Sequence, residues 1–256
     1  MSARNGRLAI VGLGPGDPAY LCERARPALA AAEVVIAYAP YCDRVAALLP
    51  GIPVEPWPIG AEVERAADAA ARARAGASVA VVSSGDPGVY GMAGLCLEAL
   101  YELGWDGRDD PEVEIVPGVT AALAAAARLG APLAVDFACL SLSDLLVPWE
   151  LIERRLEAIG AGDLAVALYN PRSRARPHAL DRAVTVLRAH RDPATPAALV
   201  HDACRPGERV EICELGCLRA EEASMDTLVV IGCSSTRRLG RHLVTLRPRR
   251  RREEAS

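Results

Sequence analysis

Short, apolar, β-branched runs alternate along this chain with longer stretches whose apolar residues recur at helical spacing. "RLAIVGLG" (Arg7–Gly14), "EVVIAY" (Glu33–Tyr38), "SVAVVS" (Ser78–Ser83) and "VEIV" (Val113–Val116) read as strands covered on both faces. Pro18–Ala32, Cys42–Leu49, Ala61–Gly76 and Val89–Leu103 read as the helices between them. Pro27 predicts a kink or a split in the first helix. The proline-rich Ile52–Gly60 suits an edge strand. After Pro117 an Ala-rich helix follows. Strand and helix in strict alternation predict a parallel sheet flanked by helices over about the first 118 residues.

The later pattern is less regular. Ala138–Asp144 and Asp163–Pro171 read as strands, and Pro148–Gly160 and His178–Arg191 as helices. Pro196–Ala203, Glu208–Leu215 and Met225–Ser235 read as three more strands. "RPGE" (Arg205–Glu208) is too short for a crossover helix, so the first two of these form a hairpin and the sheet is mixed. The expected fold class is α/β: an N-terminal domain over 1–118 with a parallel sheet, and a C-terminal domain over 119–246 with a mixed sheet. A basic and acidic tail over 247–256 is expected to be flexible.

Composition narrows the chemistry. The chain has 256 residues, and all 29 of its basic side chains besides His are Arg. Without Lys there is no Schiff base, Walker-type phosphate lysine or Lys general base. A net charge of −4 argues against a nucleic-acid partner. None of the eight cysteines forms a C-x-x-C pair, so no metal site is expected. The N-terminus reaches glycines too soon for a signal peptide, and no apolar run reaches the roughly 18 residues of a membrane span. These readings predict a soluble, cytoplasmic protein without a membrane partner.

Three turns follow N-terminal strands: "GLGPGDP" (Gly12–Pro18), "SSGDPG" (Ser83–Gly88) and "VPGVTA" (Val116–Ala121). In a parallel sheet they share the carboxyl edge, where open α/β sheets bind ligands. A dinucleotide does not fit. The glycines at 12, 14 and 16 do not make G-x-G-x-x-G, and Asp17 would repel a pyrophosphate. A nucleoside-like ligand without phosphates, such as S-adenosylmethionine, remains.

These loops, with "YGMAG", "SLSDLLVPWE", "LYNPRSRARP" and "RPGE", resemble the tetrapyrrole (corrin and porphyrin) methyltransferases, the class III S-adenosylmethionine enzymes. The likeness runs from about Leu8 to Thr236 and is strongest to the precorrin-3B C17-methyltransferase branch of cobalamin biosynthesis, which is associated with ring contraction as well as methylation. It implies two α/β domains with a cofactor cleft between them, a homodimer, S-adenosyl-L-methionine as cofactor with S-adenosyl-L-homocysteine as product, and a precorrin-type substrate. Carried over by motif, cofactor contacts fall to Pro15, Ser84, Gly85, Asp86, Val89, Thr120, Ala121, Asn170 and Ala203. Val135, Val147 and Cys233 stand where the family commonly has His, Thr and Asn, on the substrate side.

Candidate groups for the chemistry follow. Asp144 suits a pyrrole N–H or a proton shuttle, or else caps the next helix. His201 suits a group titrating near neutrality, or else is a satisfied histidine. Gly14 and Tyr90 are candidates for substrate contact, with core packing the alternative for Tyr90. Arg172 and Arg174, with Arg176 beyond them, suit the carboxylates of a precorrin or form a solvated loop. Two other functions stay open: the same fold acting on another precorrin carbon or a non-tetrapyrrole acceptor, and a non-catalytic nucleoside-binding module.

Overall fold

The computed structural model describes residues 5–108 and 110–247; the tail beyond Arg247, expected to be a flexible end, lies outside the described residues. The chain divides into two compact units, one ending at Ala121 and the other starting at Ala122.

The first unit carries β1 (Arg7–Gly12), β2 (Val34–Tyr38), β3 (Val54–Trp57), β4 (Ser78–Ser83) and β5 (Glu112–Val116). They form one sheet in the order β3-β2-β4-β1-β5, and every pair is parallel. The proline-rich strand sits at an edge, where the missing N–H of Pro56 does least harm. Alternation along the inner strands builds two cores. Leu8, Ile10, Val79 and Val81 face α3 (Glu62–Arg74) and α4 (Ala93–Glu102). Ala9, Val11, Ala80 and Val82 face α1 (Ala25–Ala30) and α2 (Cys42–Leu48). On α3 the buried residues Ala66, Ala69, Ala70 and Ala73 recur at three- and four-residue steps, so the helix seats closely on the sheet.

Two predicted helices are shorter than the apolar pattern suggested. The Pro18–Ala32 segment splits into one 3₁₀ turn, Pro18–Tyr20, capped by Asp17, and α1, which starts at Ala25. Pro27 thus falls in a first turn, where a helix needs no N–H. The Val89–Leu103 segment becomes helical only at Ala93. Tyr90 adopts φ of 54°, and the Met92 N–H bonds Ser83 Oγ at 3.1 Å, so the loop runs on.

The second unit contains α5 (Ala121–Leu129), β6 (Gly130–Ala131), β7 (Phe137–Ser141), α6 (Trp149–Ala161), β8 (Ala165–Tyr169), α7 (Ala179–Arg188), β9 (Pro196–His201), β10 (Arg209–Glu214) and β11 (Thr227–Ile231). Its main sheet runs β10-β9-β11-β8-β7. Only β7–β8 is parallel; β9–β10 is the expected hairpin, and the sheet is mixed as the sequence predicts. Leu140, Ile152, Leu156, Leu168, Leu180 and Leu187 fill its core. The sequence reading ended its strands at Ser235 and overlooked a further hairpin, β12 (Thr236–Leu239) and β13 (His242–Thr245), which adds β6 to make a small third sheet. Thr236 and Thr245 are buried there and share a 2.8 Å hydrogen bond.

Among the described residues no helix is long and apolar enough to cross a membrane. None of the eight cysteines, all of them described, forms a disulfide.

Candidate active site

In the first sheet β1 and β4 are neighbours, yet the helices after them pack on opposite faces, α1 in one core and α4 in the other. Their carboxyl ends therefore open a crevice at the point where the chain reverses its order of strands. The first two glycine loops leave from this point and are joined at once. Gly14 N–H donates to Gly85 O at 3.1 Å, and Gly85 N–H donates back to Gly14 O at 2.8 Å. The third loop leaves β5, on the other side of β1, and touches both.

Backbone lies directly against backbone where the three loops meet. A Cβ on Gly118 would stand 2.1 Å from Gly85 O and 3.0 Å from the Gly12 carbonyl carbon. One on Gly12 would stand 2.7 Å from Gly118 N and from Gly85 O. No side chain fits in either place. Asp86 fastens the arrangement: one carboxylate oxygen accepts from Gly88 N–H at 2.8 Å and the other from Gly118 N–H at 2.9 Å. One Asp86 oxygen thus braces the second loop, and the other joins it to the third. Pro15, Ser84, Gly85, Asp86, Val89, Thr120 and Ala121 all sit on these converging loops, as does Gly14. Tyr90 lies at the far end of the second loop, 55 % exposed and in left-handed backbone that a tyrosine rarely occupies.

The second unit gathers its candidates differently. Asn170 follows β8 with φ of 52°, and its amide donates to Ser141 Oγ at the end of β7, at 2.9 Å. Arg176 is mostly buried and clamps this edge. Its guanidinium donates to Leu142 O at 3.0 Å and Asn170 O at 3.2 Å, and Nε lies 3.6 Å from Asp144. Asp144 is therefore tied to Arg176. It does not cap α6, whose N-cap is Pro148 with no side-chain bond. Arg172 donates to Glu221 O, and Arg174 is exposed in the same loop. Arg176, read from sequence as one of three carboxylate-pairing arginines, holds two backbone carbonyls in place.

His201 lies within β9 with its ring buried. Nδ1 is 3.0 Å from Thr227 Oγ1, and Nε2 is 3.2 Å from Arg209 and 3.7 Å from Glu211. Burial, then the Arg209 charge, lowers its pKa below the ordinary histidine value. The ring is satisfied by its own sheet, the second of the two readings the sequence left open. Ala203 and Cys204 follow β9, and Cys204 also has positive φ, 61°. The sequence reading missed two parts of this arrangement. One is the Gly12–Gly118 contact, for which the glycine in "VPGVTA" was a signal. The other is the clamping role of Arg176, which nothing in its own loop distinguishes from the neighbouring arginines.

The fold and these loops define a class of enzyme. The chain belongs to the tetrapyrrole (corrin/porphyrin) methylase family, whose model matches residues 7–218. Among curated relatives it is 43% identical over 232 residues to a precorrin-3B C(17)-methyltransferase of Sinorhizobium sp, covering 91% of each chain. It is 42% identical over 231 residues to a cobalt-factor III methyltransferase of Priestia megaterium, covering 90% of this chain but 43% of that longer protein. Its structure is similar to the crystal structure of the methyltransferase CobJ, with a TM-score of 0.89 and 39% identity over 94% of this chain and all of that one. A uroporphyrin-III C-methyltransferase of Thermus thermophilus, solved with S-adenosyl homocysteine, matches at TM-score 0.66 and 28% identity over 89% and 92% of the two chains.

Proposed function

We propose that this protein transfers a methyl group from S-adenosylmethionine to C17 of a precorrin-3B-type tetrapyrrole, with or without its cobalt, in cobalamin biosynthesis. The convergence of three glycine loops on one crevice, in a chain of this family, carries the reading. The residues present suit the cofactor. Asp17 and Asp86 flank loops that a phosphate would avoid, whereas a sulfonium cation with an amino-acid tail tolerates carboxylates nearby. When bound, the cofactor supplies an electrophilic methyl group on positive sulfur.

The chain's own contribution is placement. Pro15, Ser84, Gly85, Asp86, Val89, Thr120 and Ala121 are assigned to the cofactor, with Asn170 and Ala203 as further contacts. Gly14, Tyr90, Asp144, Arg172 and Arg174 are assigned to the substrate. Asp144, steadied by Arg176, is the acid–base candidate we favour over the satisfied His201. Alignment of an electron-rich ring carbon with the methyl carbon can supply about 7–11 kcal/mol in favourable systems, so rigid loops are the main requirement. Positive-φ backbone at Tyr90 and Cys204, a conformation that such residues rarely adopt, supports this, since it persists only where the surroundings hold it. A homodimer is part of the same reading and rests on the family resemblance; a cytoplasmic location rests on the sequence features given above.

The test has two stages. Calorimetry with S-adenosylhomocysteine should give saturable binding. Incubation with S-adenosylmethionine and precorrin-3B, or its cobalt form, should give a product heavier by one methylene, with the carbon label at C17. A label on another carbon would move the acceptor and keep the enzyme class; binding without transfer to any tetrapyrrole would favour the non-catalytic module.

A further inference from the structure

In the second unit, the loop between β7 and α6 gives most of its apolar residues to the core and leaves two out. Leu142 is fully buried, Val147 packs against the core from a half-buried position, and Trp149 is buried where α6 begins. Between them Leu145 is 77 % exposed and Leu146 is 89 % exposed, more than any other large apolar side chain among the described residues. A single exposed leucine is ordinary. Two in succession, on a loop whose other apolar residues are seated, form a patch that gains from being covered.

The place of the patch points to what covers it. β7 and β8 are parallel neighbours, so the loops after them, 142–148 and 170–178, leave one edge of the sheet. Arg176 joins the two loops through Leu142 O, Asn170 O and Asp144, and Asp144 is the residue before Leu145. The second loop is itself closed into a turn: Ser173 N–H donates to Arg176 O at 3.3 Å, and Arg176 N–H donates to Ser173 O at 3.1 Å. Arg174 and Ala175 stand exposed at the tip of that turn, whereas Arg172 spends a donor on Glu221 O. One clamp thus holds together a loop with a bare apolar tip and a loop with a bare guanidinium. A ligand suited to both has a broad apolar face and carboxylates at its rim. A precorrin-type tetrapyrrole, a ring system with acetate and propionate arms, is such a molecule.

We propose that Leu145 and Leu146 form an apolar clip that lies against a face of the tetrapyrrole while Arg174 meets one of its carboxylate arms. The inference rests on the methyltransferase reading and adds to it the residues that grip the ring itself. The substrate contacts assigned above are charged or lie on the glycine loops of the first unit. Both leucine side chains project away from the core and take no part in the Arg176 clamp, so replacing them leaves Asn170 and Asp144 in place. They therefore act on the affinity for the acceptor and not on that for the cofactor.

The test is the double variant Leu145→Ser with Leu146→Ser in the full chain, beside a second in which both become Met. With precorrin-3B or its cobalt form as the probe, the serine variant should raise the tetrapyrrole KM about 10- to 100-fold. Its Kd for S-adenosylhomocysteine should stay within about twofold, and its denaturation midpoint should not move, because exposed side chains add little to stability. The methionine variant keeps the apolar area and should lie close to wild type. A parallel rise in the S-adenosylhomocysteine Kd, or a lowered midpoint, would mean that the leucines support the loop and would overturn the proposal. A changed sedimentation coefficient would assign the patch to a second copy of the chain and overturn it as well. If wild type binds cofactor and methylates its substrate, and the serine variant leaves the tetrapyrrole KM within about twofold, the clip is wrong and the methyltransferase reading stands. If wild type neither binds cofactor nor methylates a tetrapyrrole, that reading falls and the clip falls with it.

Discussion

The two units solve one problem by opposite means. At the carboxyl edge of the first sheet, loops are held by backbone against backbone: Gly12, Gly85 and Gly118 touch, and Gly14 and Gly85 exchange hydrogen bonds. At the β7–β8 edge of the second, loops are held by side chains: Asn170 reaches Ser141, and Arg176 reaches two carbonyls and Asp144. A backbone contact leaves no room for variation. A side-chain clamp can be lengthened, shortened or re-aimed one residue at a time. The first edge thus tolerates fewer substitutions than the second.

The sharpest way to break this contrast is Gly118→Ala. Its new methyl would overlap Gly85 O, and neither backbone can withdraw without parting the loops. We expect a loss of about 3 kcal/mol or more in stability, with cofactor binding abolished in calorimetry of whatever protein remains folded. Wild-type affinity in this variant would show that the loop contact is not what forms the cofactor site.

Arg176→Met removes the other kind of support. The methionine fills similar space but leaves Leu142 O and Asn170 O without their donor, at a cost of about 2 kcal/mol by denaturant titration. Because Asn170 is among the proposed cofactor contacts and Asp144 among the substrate contacts, we expect the Kd for S-adenosylhomocysteine and the KM for the tetrapyrrole both to rise several-fold. Unchanged values for both would mean that this clamp does not shape the site.

The first unit's sheet was legible because each strand is short, apolar and followed by a turn, and because parallel strands must bring their loops to one edge. Where the loops touch was not legible, since "VPGVTA" states that Gly118 can bend but not what lies 2.1 Å from it. Tyr90 hid the true start of α4. Its neighbours have helical spacing, and only tertiary contact holds its φ positive. The β12–β13 hairpin went unread although Gly240 and Arg241 make a two-residue turn there. Its exposed arginines masked β12, in which only Thr236 is buried. The fate of Asp144 depended on Arg176, a residue 32 positions away, and such pairing is beyond local pattern.

Asp86→Asn tests a side chain that ties the backbone-built edge together. An amide keeps a single acceptor, so either Gly88 or Gly118 N–H must face an NH₂ group. Both sites are partly open to water, so we expect about 1 kcal/mol in stability and a several-fold rise in cofactor Kd. Asp86→Ala, which removes both bonds, should do more. No change in either variant would show that the glycine contacts alone hold the second and third loops together.

Glu114 offers the smallest and most selective comparison, because it holds the first unit together away from its carboxyl edge. Its carboxylate pairs with Arg7 at 2.6 Å and Arg24 at 2.5 Å, and the bond from Arg24 is the leading reason that its pKa lies below the usual carboxylate value. A depressed pKa in the folded state means that unfolded chains bind the proton first as pH falls. The stabilisation is therefore complete above the unfolded value and is lost as pH drops through the folded one. Glu114→Gln should cost about 1 kcal/mol near neutrality, and the gap from wild type should close at strongly acid pH. Since Glu114 does not touch the glycine loops, cofactor affinity should stay the same. A gap that widens in acid would reverse the assigned role of the carboxylate, and a weakened cofactor would mean that side chains far from the edge also shape it.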